Sequence, residues 1–185
     1  MAITERTTLA ELAGEVSEKL KAKGLSAILV GGGVVSIYTD NRYESGDLDF
    51  VVEQFVVRKG LIDEAMAELG FTKDRGRVYL HPKCRYAVDF SPPPVSIGEE
   101  VITQPAKYKA KTGVIRLFTP TQSVMDRLAA YYHFDDAQGL EQAVLVASSH
   151  PVKLDKIAEW SKAEGHREKH ETFRQRLLES KRRRK

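Results

Sequence analysis

The stretch Ile28 to Glu53, ILVGGGVVSIYTDNRYESGDLDFVVE, decides how the rest of the chain is read. A buried-strand pattern, Ser26 to Val30, runs into Gly31-Gly32-Gly33. Val34 to Tyr38 suits one short helix, and Asp40 to Gly46 is rich in turn formers. Asp47 to Val52 then alternates polar and apolar residues as a strand does. Successive strand side chains point to opposite faces, so Asp47 and Asp49 share one face while Leu48 and Phe50 share the other. Two carboxylates about 6–7 Å apart along a strand can converge on one ion. Mg²⁺ suits such a pair, because it takes oxygen ligands and commonly combines one or two carboxylates with substrate phosphates. Crowded like charges are costly without a compensating cation.

The glycines supply the complementary half. Lacking side chains, Gly31 and Gly32 let backbone N–H groups approach phosphate oxygens. A helix starting at Gly33 aims its positive end at the same place, with the Ser36 hydroxyl a turn further on. Phosphoryl transfer by two metals calls for a third acid. Asp89 in Tyr86-Ala87-Val88-Asp89-Phe90 is a charge near the end of an apolar strand, just before a proline stop. The expected metal set is therefore Asp47, Asp49 and Asp89 with Mg²⁺ (or Mn²⁺), and Asp89 is the expected general base.

Outward from this stretch the chain divides in two. Leu9, Leu12, Val16 and Leu20 form a helical stripe over residues 8 to 23, and residues 59 to 70 form another helix. Arg77 to Leu80 and Arg85 to Phe90 are strands around a turn at His81-Pro82, the second ended by Ser91-Pro92-Pro93-Pro94. Val101 to Lys111 reads as either a hairpin or a loop, and Val114 to Phe118 as a last strand. After Thr119-Pro120 the chain turns helical, with Thr121 as the expected N-cap and further helices near 137–148, 153–163 and 167–179. The expected architecture is α/β (α+β): a mixed-sheet core with flanking helices over 1–118, a C-terminal helical bundle over 119–180 and a basic tail over 181–185.

Composition narrows the classes. Hydrophobic residues make up 42% of 185, enough for a core. No apolar run approaches the ~20 residues of a membrane span, so no membrane partner is expected. The N-terminus has no signal-peptide pattern. Cys84 is the single cysteine, which excludes an internal disulfide, argues against a zinc–cysteine site and fits a cytoplasmic location. Net charge is only +3, but residues 181–185 read KRRRK, a pattern that binds phosphate backbones or acidic partners unless it is simply a solvated end.

Taken together, Val30-Gly31-Gly32, Asp47-Leu48-Asp49 and Asp89 resemble the nucleotidyltransferase superfamily typified by DNA polymerase β, over about residues 25 to 145. The closer likeness is to the abortive-infection type found among bacterial toxin–antitoxin pairs. Arg42 and Ser45 loosely match an Arg and a Ser that this type carries before its Asp-x-Asp, and Arg127 matches its basic residue on a helix after the sheet. Gly33 stands where Ser or Thr is usual, and Arg127 where Lys is common. The resemblance implies an NTP-using, pyrophosphate-releasing enzyme. Gly31, Gly32, Gly33, Ser36, Arg42, Ser45 and Arg127 would hold the nucleotide, RNA (tRNA in particular) would be the acceptor, and a cognate antitoxin protein the partner. The alternatives are a non-catalytic nucleotide- or RNA-binding protein of this fold and a partner-binding component of a toxin–antitoxin complex.

A rival pattern exists. Gly31-x-Gly33-x-x-Ser36 after a strand mimics a dinucleotide-binding turn, and Glu53 falls 20 residues after Gly33, where a ribose-binding acid would sit. Against it, Asp40 to Gly46 is a loop where a crossover helix should continue. His166 and His170 have the spacing of a zinc motif, but Arg167 stands where that motif needs Glu.

Overall fold

A computed structural model describes residues 2–183. Helix α1 (Leu9–Ala22) starts at a Thr8–Glu11 capping box and buries Leu9, Leu12, Val16 and Leu20. The box satisfies orphan backbone donors from both directions. Strand β1 (Ala27–Val30) leads without a loop into α2 (Gly31–Tyr38). Gly31 enters the helix at φ +70°, so the chain turns within one residue and α2 begins two positions before the expected Gly33. Asp40 and Asn41, both at positive φ, reverse the chain toward β2 (Asp47–Val52).

Helix α3 (Leu61–Glu68) precedes the short β3 (Thr72–Lys73), β4 (Val78–Leu80) and β5 (Ala87–Ser91), the last ending at the proline run as expected. The small hairpin β6 (Ser96–Ile97) and β7 (Glu100–Val101) follows, then β8 (Ala106–Lys109) and β9 (Val114–Leu117). The ambiguous stretch thus splits: its first residue closes one hairpin, and Ala106–Lys109 starts another. Seven strands form one sheet in the order β3-β4-β5-β2-β1-β9-β8. The β2–β5 and β1–β9 pairs are parallel and the other pairs antiparallel. This is the mixed α+β architecture that the sequence predicts.

The antiparallel β1–β2 pairing removes the dinucleotide-binding reading, which needs two parallel strands joined by a crossover helix. Glu53 is accounted for otherwise: it forms an ion pair with Arg116 on β9 and accepts a hydrogen bond from Ser26.

One face of the sheet carries Leu48, Phe50, Val52, Val88 and Phe90, all buried in one core with Leu12, Val16, Ala65 and Met66. Burying a side chain the size of Phe50 contributes about 1.5–3 kcal/mol. The opposite face carries Asp47, Asp49 and Asp89.

The helical region follows directly on β9. Thr119, not Thr121, caps α4 (Pro120–Phe134), with Pro120 in its first turn and Gln122 completing a capping box. Thr-Pro-x-Gln meets all three start signals at once, whereas Thr121 lies inside the helix. Then come α5 (Ala137–Ser149), α6 (Leu154–Ala163) and α7 (Arg167–Arg183). Helix α7 extends through Lys181, Arg182 and Arg183, so these three belong to a helix; the rest of the expected tail, residues 184 and 185, lies outside the described residues. The chain between β5 and β8 is clamped to the helices. Lys156 pairs with Glu100 at 2.6 Å, Gln122 donates to the Gln104 carbonyl at 3.2 Å, and the Glu99 N–H donates to Glu164 at 3.2 Å. No helix among the described residues is long and apolar enough to cross a membrane.

Candidate active site

Strand register brings the acids together. In the parallel β2–β5 pair Asp49 lies directly opposite Asp89, and Asp47 is opposite Ala87. The two strands are hydrogen-bonded neighbours, so the three carboxylates occupy one face of two adjacent strands. Asp47 is exposed and the other two are partly buried. Burial, and then the charges of Asp47 and Asp89, push the Asp49 carboxyl up to about 6; the Arg127 cation opposes this and Asp126 adds to it. Like charges crowded at a half-buried site call for a cation.

Two of the carboxylates already accept hydrogen bonds. Asp89 Oδ1 accepts the N–H of its neighbour Phe90 at 2.7 Å, and Asp47 Oδ1 accepts the Ser45 hydroxyl at 2.8 Å. Among the described residues no three His, Cys, Asp or Glu side chains close into a cage for an ion, so the expected three-carboxylate set is not drawn around one point. The donor set still fits Mg²⁺, which needs only one or two carboxylates when phosphates complete its octahedron.

The glycine turn lies against these acids. A Cβ on Gly31 would stand 2.7 Å from Asp49 Oδ2, and one on Gly32 would stand 2.8 Å from Ser45 Oγ and 3.3 Å from the Tyr43 hydroxyl. On Gly33 it would meet Leu48 at 3.1 Å. The three glycines are buried, and the loop before β2 packs down on them, next to the exposed Asp47. Val30, the N-cap of α2, offers its first amides no side-chain hydrogen bond.

The other expected nucleotide contacts are distributed unevenly. The Ser36 hydroxyl is engaged inside the turn, donating to the Gly32 carbonyl at 3.2 Å and accepting the Ser45 N–H at 2.9 Å. Arg42 donates to the Thr39 carbonyl at 3.2 Å and to Ser149 at the end of α5, a join between the loop and the helical region. Arg127 pairs with Asp126 at 2.7 Å, and its Nη1 lies 3.4 Å from the buried Gln142 of α5. Gly139 lets α5 pack closely on α4, because a Cβ there would stand 2.7 Å from the Arg127 carbonyl oxygen.

Tyr43, Asp126, Gly139 and Gln142 were not legible as site residues. Gln142 left the one usable signal, a polar residue between the apolar Leu140, Ala143 and Val146 of α5.

The arrangement can be set beside solved structures. A nucleotidyltransferase-like antigenic protein from Paracoccidioides brasiliensis is similar over 77% of each chain, with TM-score 0.55 and 13% identity. The antibiotic-resistance factor ANT(2″)-Ia, solved in solution, is similar over 98% of each chain, with TM-score 0.51 and 16% identity. A crystal structure of ANT(2″)-Ia in complex with adenylyl-2″-tobramycin matches 92% of this chain and 99% of that one, with TM-score 0.51 and 16% identity. The chain has the nucleotidyltransferase fold. No family model matches the sequence, and no curated protein matches it either. At such identity the likeness reaches the nucleotidyltransferase fold and stops short of the abortive-infection subtype.

Proposed function

We propose that the protein transfers a nucleoside monophosphate from an NTP to an acceptor hydroxyl with release of pyrophosphate. The observation that carries this reading is the direct pairing of Asp49 with Asp89, beside Asp47 and above a glycine-started helix. Asp47 and Asp49 would hold Mg²⁺ or Mn²⁺, which when bound offsets the charge of the triphosphate and the leaving pyrophosphate. Asp89 has one oxygen engaged by Phe90, leaving Oδ2 to take the proton as the acceptor oxygen bonds to the α-phosphorus and the bond to pyrophosphate breaks. Arg127 and Arg42 would steady the triphosphate, and Gly31, Gly32, Gly33, Ser36 and Ser45 would shape the turn beneath it.

RNA, tRNA in particular, is our preferred acceptor, supported by the basic end of α7. In that reading the enzyme acts in the cytoplasm as a toxin held by a cognate antitoxin protein. A small hydroxylated molecule is the second acceptor class, favoured by the adenylyl-2″-tobramycin bound to one structural neighbour. The test is incubation with each labelled NTP, Mg²⁺ and either total RNA or tobramycin. Label should enter one acceptor with the wild type and not with Asp49→Ala; identical results for the two proteins would remove the transferase reading. Co-purification of a partner protein tests the antitoxin part. A non-catalytic nucleotide binder is disfavoured because all three acids are present, and Mg²⁺-independent NTP binding without product would identify one.

A further inference from the structure

A cavity opens at the far end of β2 and β5. It has a volume of about 430 Å³ and lies between the ends of β2 and β5, the start of α3 and the β3–β4 turn. That volume falls within the ~300–1,000 Å³ of small-ligand sites. Arg58, Lys59, Lys73 and Arg77 line it, against a single carboxylate, Asp63. Arg58 is paired with Glu64, and Lys73 with Asp63 at 2.9 Å. Lys59 and Arg77 are exposed and have no acidic partner among the described residues. Two cations there are therefore free to meet an anion.

One more feature points the same way. Phe55 lines the cavity with 80% of its surface exposed, next to Val56 at 91%. A free aromatic face beside unpaired cations is the pairing used for stacked bases and phosphates along a single strand. Gly60, also in the lining, is the N-cap of α3 and gives it no side-chain cap, while Asp63 and Glu64 stand in the first turn and offset the positive helix end. The cavity sits at the ends of β2 and β5 on the face that carries Val52 and Phe90 and packs against α3, the face opposite Asp89.

We infer that this cavity binds a nucleotide unit of a single-stranded RNA, with a base on Phe55 and phosphates on Lys59 and Arg77. This binding does not rest on the transferase reading. An acidic peptide would use the cations, but it has no counterpart for the exposed ring.

The test is fluorescence polarisation of a labelled 12-nucleotide single-stranded RNA, without metal or NTP, across a salt series. Lys59→Glu/Arg77→Glu should weaken binding at least tenfold and flatten the log–log salt slope by about 1.4, the share of two phosphates on a single strand. Phe55→Ala should weaken it by about 5-fold or more, as loss of one stacked base does. Both variants change exposed residues, and an unchanged thermal midpoint verifies their folding. Wild-type-like RNA affinity in the charge-reversal variant would overturn the site. So would an acidic 12-residue peptide, or free AMP, that displaces the RNA at equal concentration. Asp49→Asn separates the two claims. If it keeps RNA binding while no RNA is ever labelled, the site stands and RNA as acceptor falls.

Discussion

The Asp49 carboxylate occupies the space that a side chain on Gly31 would need: its Oδ2 lies 2.7 Å from where a Cβ would be built. A side chain on Gly31 would therefore have to displace the Asp49 carboxylate. The proposed metal ligand and the turn beneath it form one packing unit.

Gly31→Ala should damage both stability and activity. The residue sits at φ +70°, where a Cβ costs roughly 1–3 kcal/mol before any clash. Urea denaturation should show a loss of at least that size, and NMP transfer should fall because Asp49 is displaced. A variant of wild-type stability and activity would show that the contact is not needed.

Metal should stabilise the folded protein through Asp49. A ligand at about 100 times its Kd adds about 2.7 kcal/mol. Mg²⁺ with a non-hydrolysable NTP should raise the thermal midpoint of the wild type. Asp49→Asn, which removes a half-buried charge, should match or exceed the wild type without metal and gain little from it. Equal metal-induced shifts in both proteins would place the ion elsewhere.

Arg127 should act on the triphosphate through geometry as well as charge. Arg127→Lys keeps the cation but loses the fork that spans Asp126 and Gln142. Steady-state kinetics should show a raised KM for NTP in Arg127→Lys and a further tenfold loss of kcat/KM, about 1.4 kcal/mol, in Arg127→Ala. An unchanged KM in both would remove Arg127 from the nucleotide site.

Helix α4 carries Arg127 and depends on its cap. Thr119→Ala removes the capping box and should cost about 0.5–2 kcal/mol in chemical denaturation. The same change at Thr121 should not remove that box, since Thr121 is a residue of the helix itself.

The Glu53–Arg116 pair should shape the acid side of the stability curve. Burial pushes the Glu53 carboxyl up, but hydrogen bonds from Arg116 and Ser26 and the Arg116 charge outweigh it and hold the group below its ordinary value. A lowered folded value means stability that is present above the ordinary carboxylate range and lost as pH falls through the folded one. Glu53→Gln should lose up to about 1 kcal/mol at neutral pH, the range of a solvent-screened pair, and show a flatter decline below pH ~5. A decline identical to that of the wild type would mean that the pair contributes nothing.

Much of the fold was legible from local rules. The period of two in Asp-Leu-Asp-Phe places both acids on one face, and the apolar stripe of residues 9 to 20 places α1. Proline after Ser91 stops β5 where expected. The errors were local as well: Thr-Pro-x-Gln moves the cap to Thr119, and the positive φ of Gly31 starts α2 early.

The sequence by itself determined which residues are acidic, which faces they share and where strands and helices run, because backbone sterics and side-chain periodicity act over a few residues. Only the tertiary structure decided that Asp49 faces Asp89, that Glu53 belongs to Arg116, and that Gln142 reaches Arg127. Those relations depend on strand register and helix packing between segments up to 63 positions apart. Register is chosen by how the opposite, apolar face fills the shared core, and no short window of sequence carries that information.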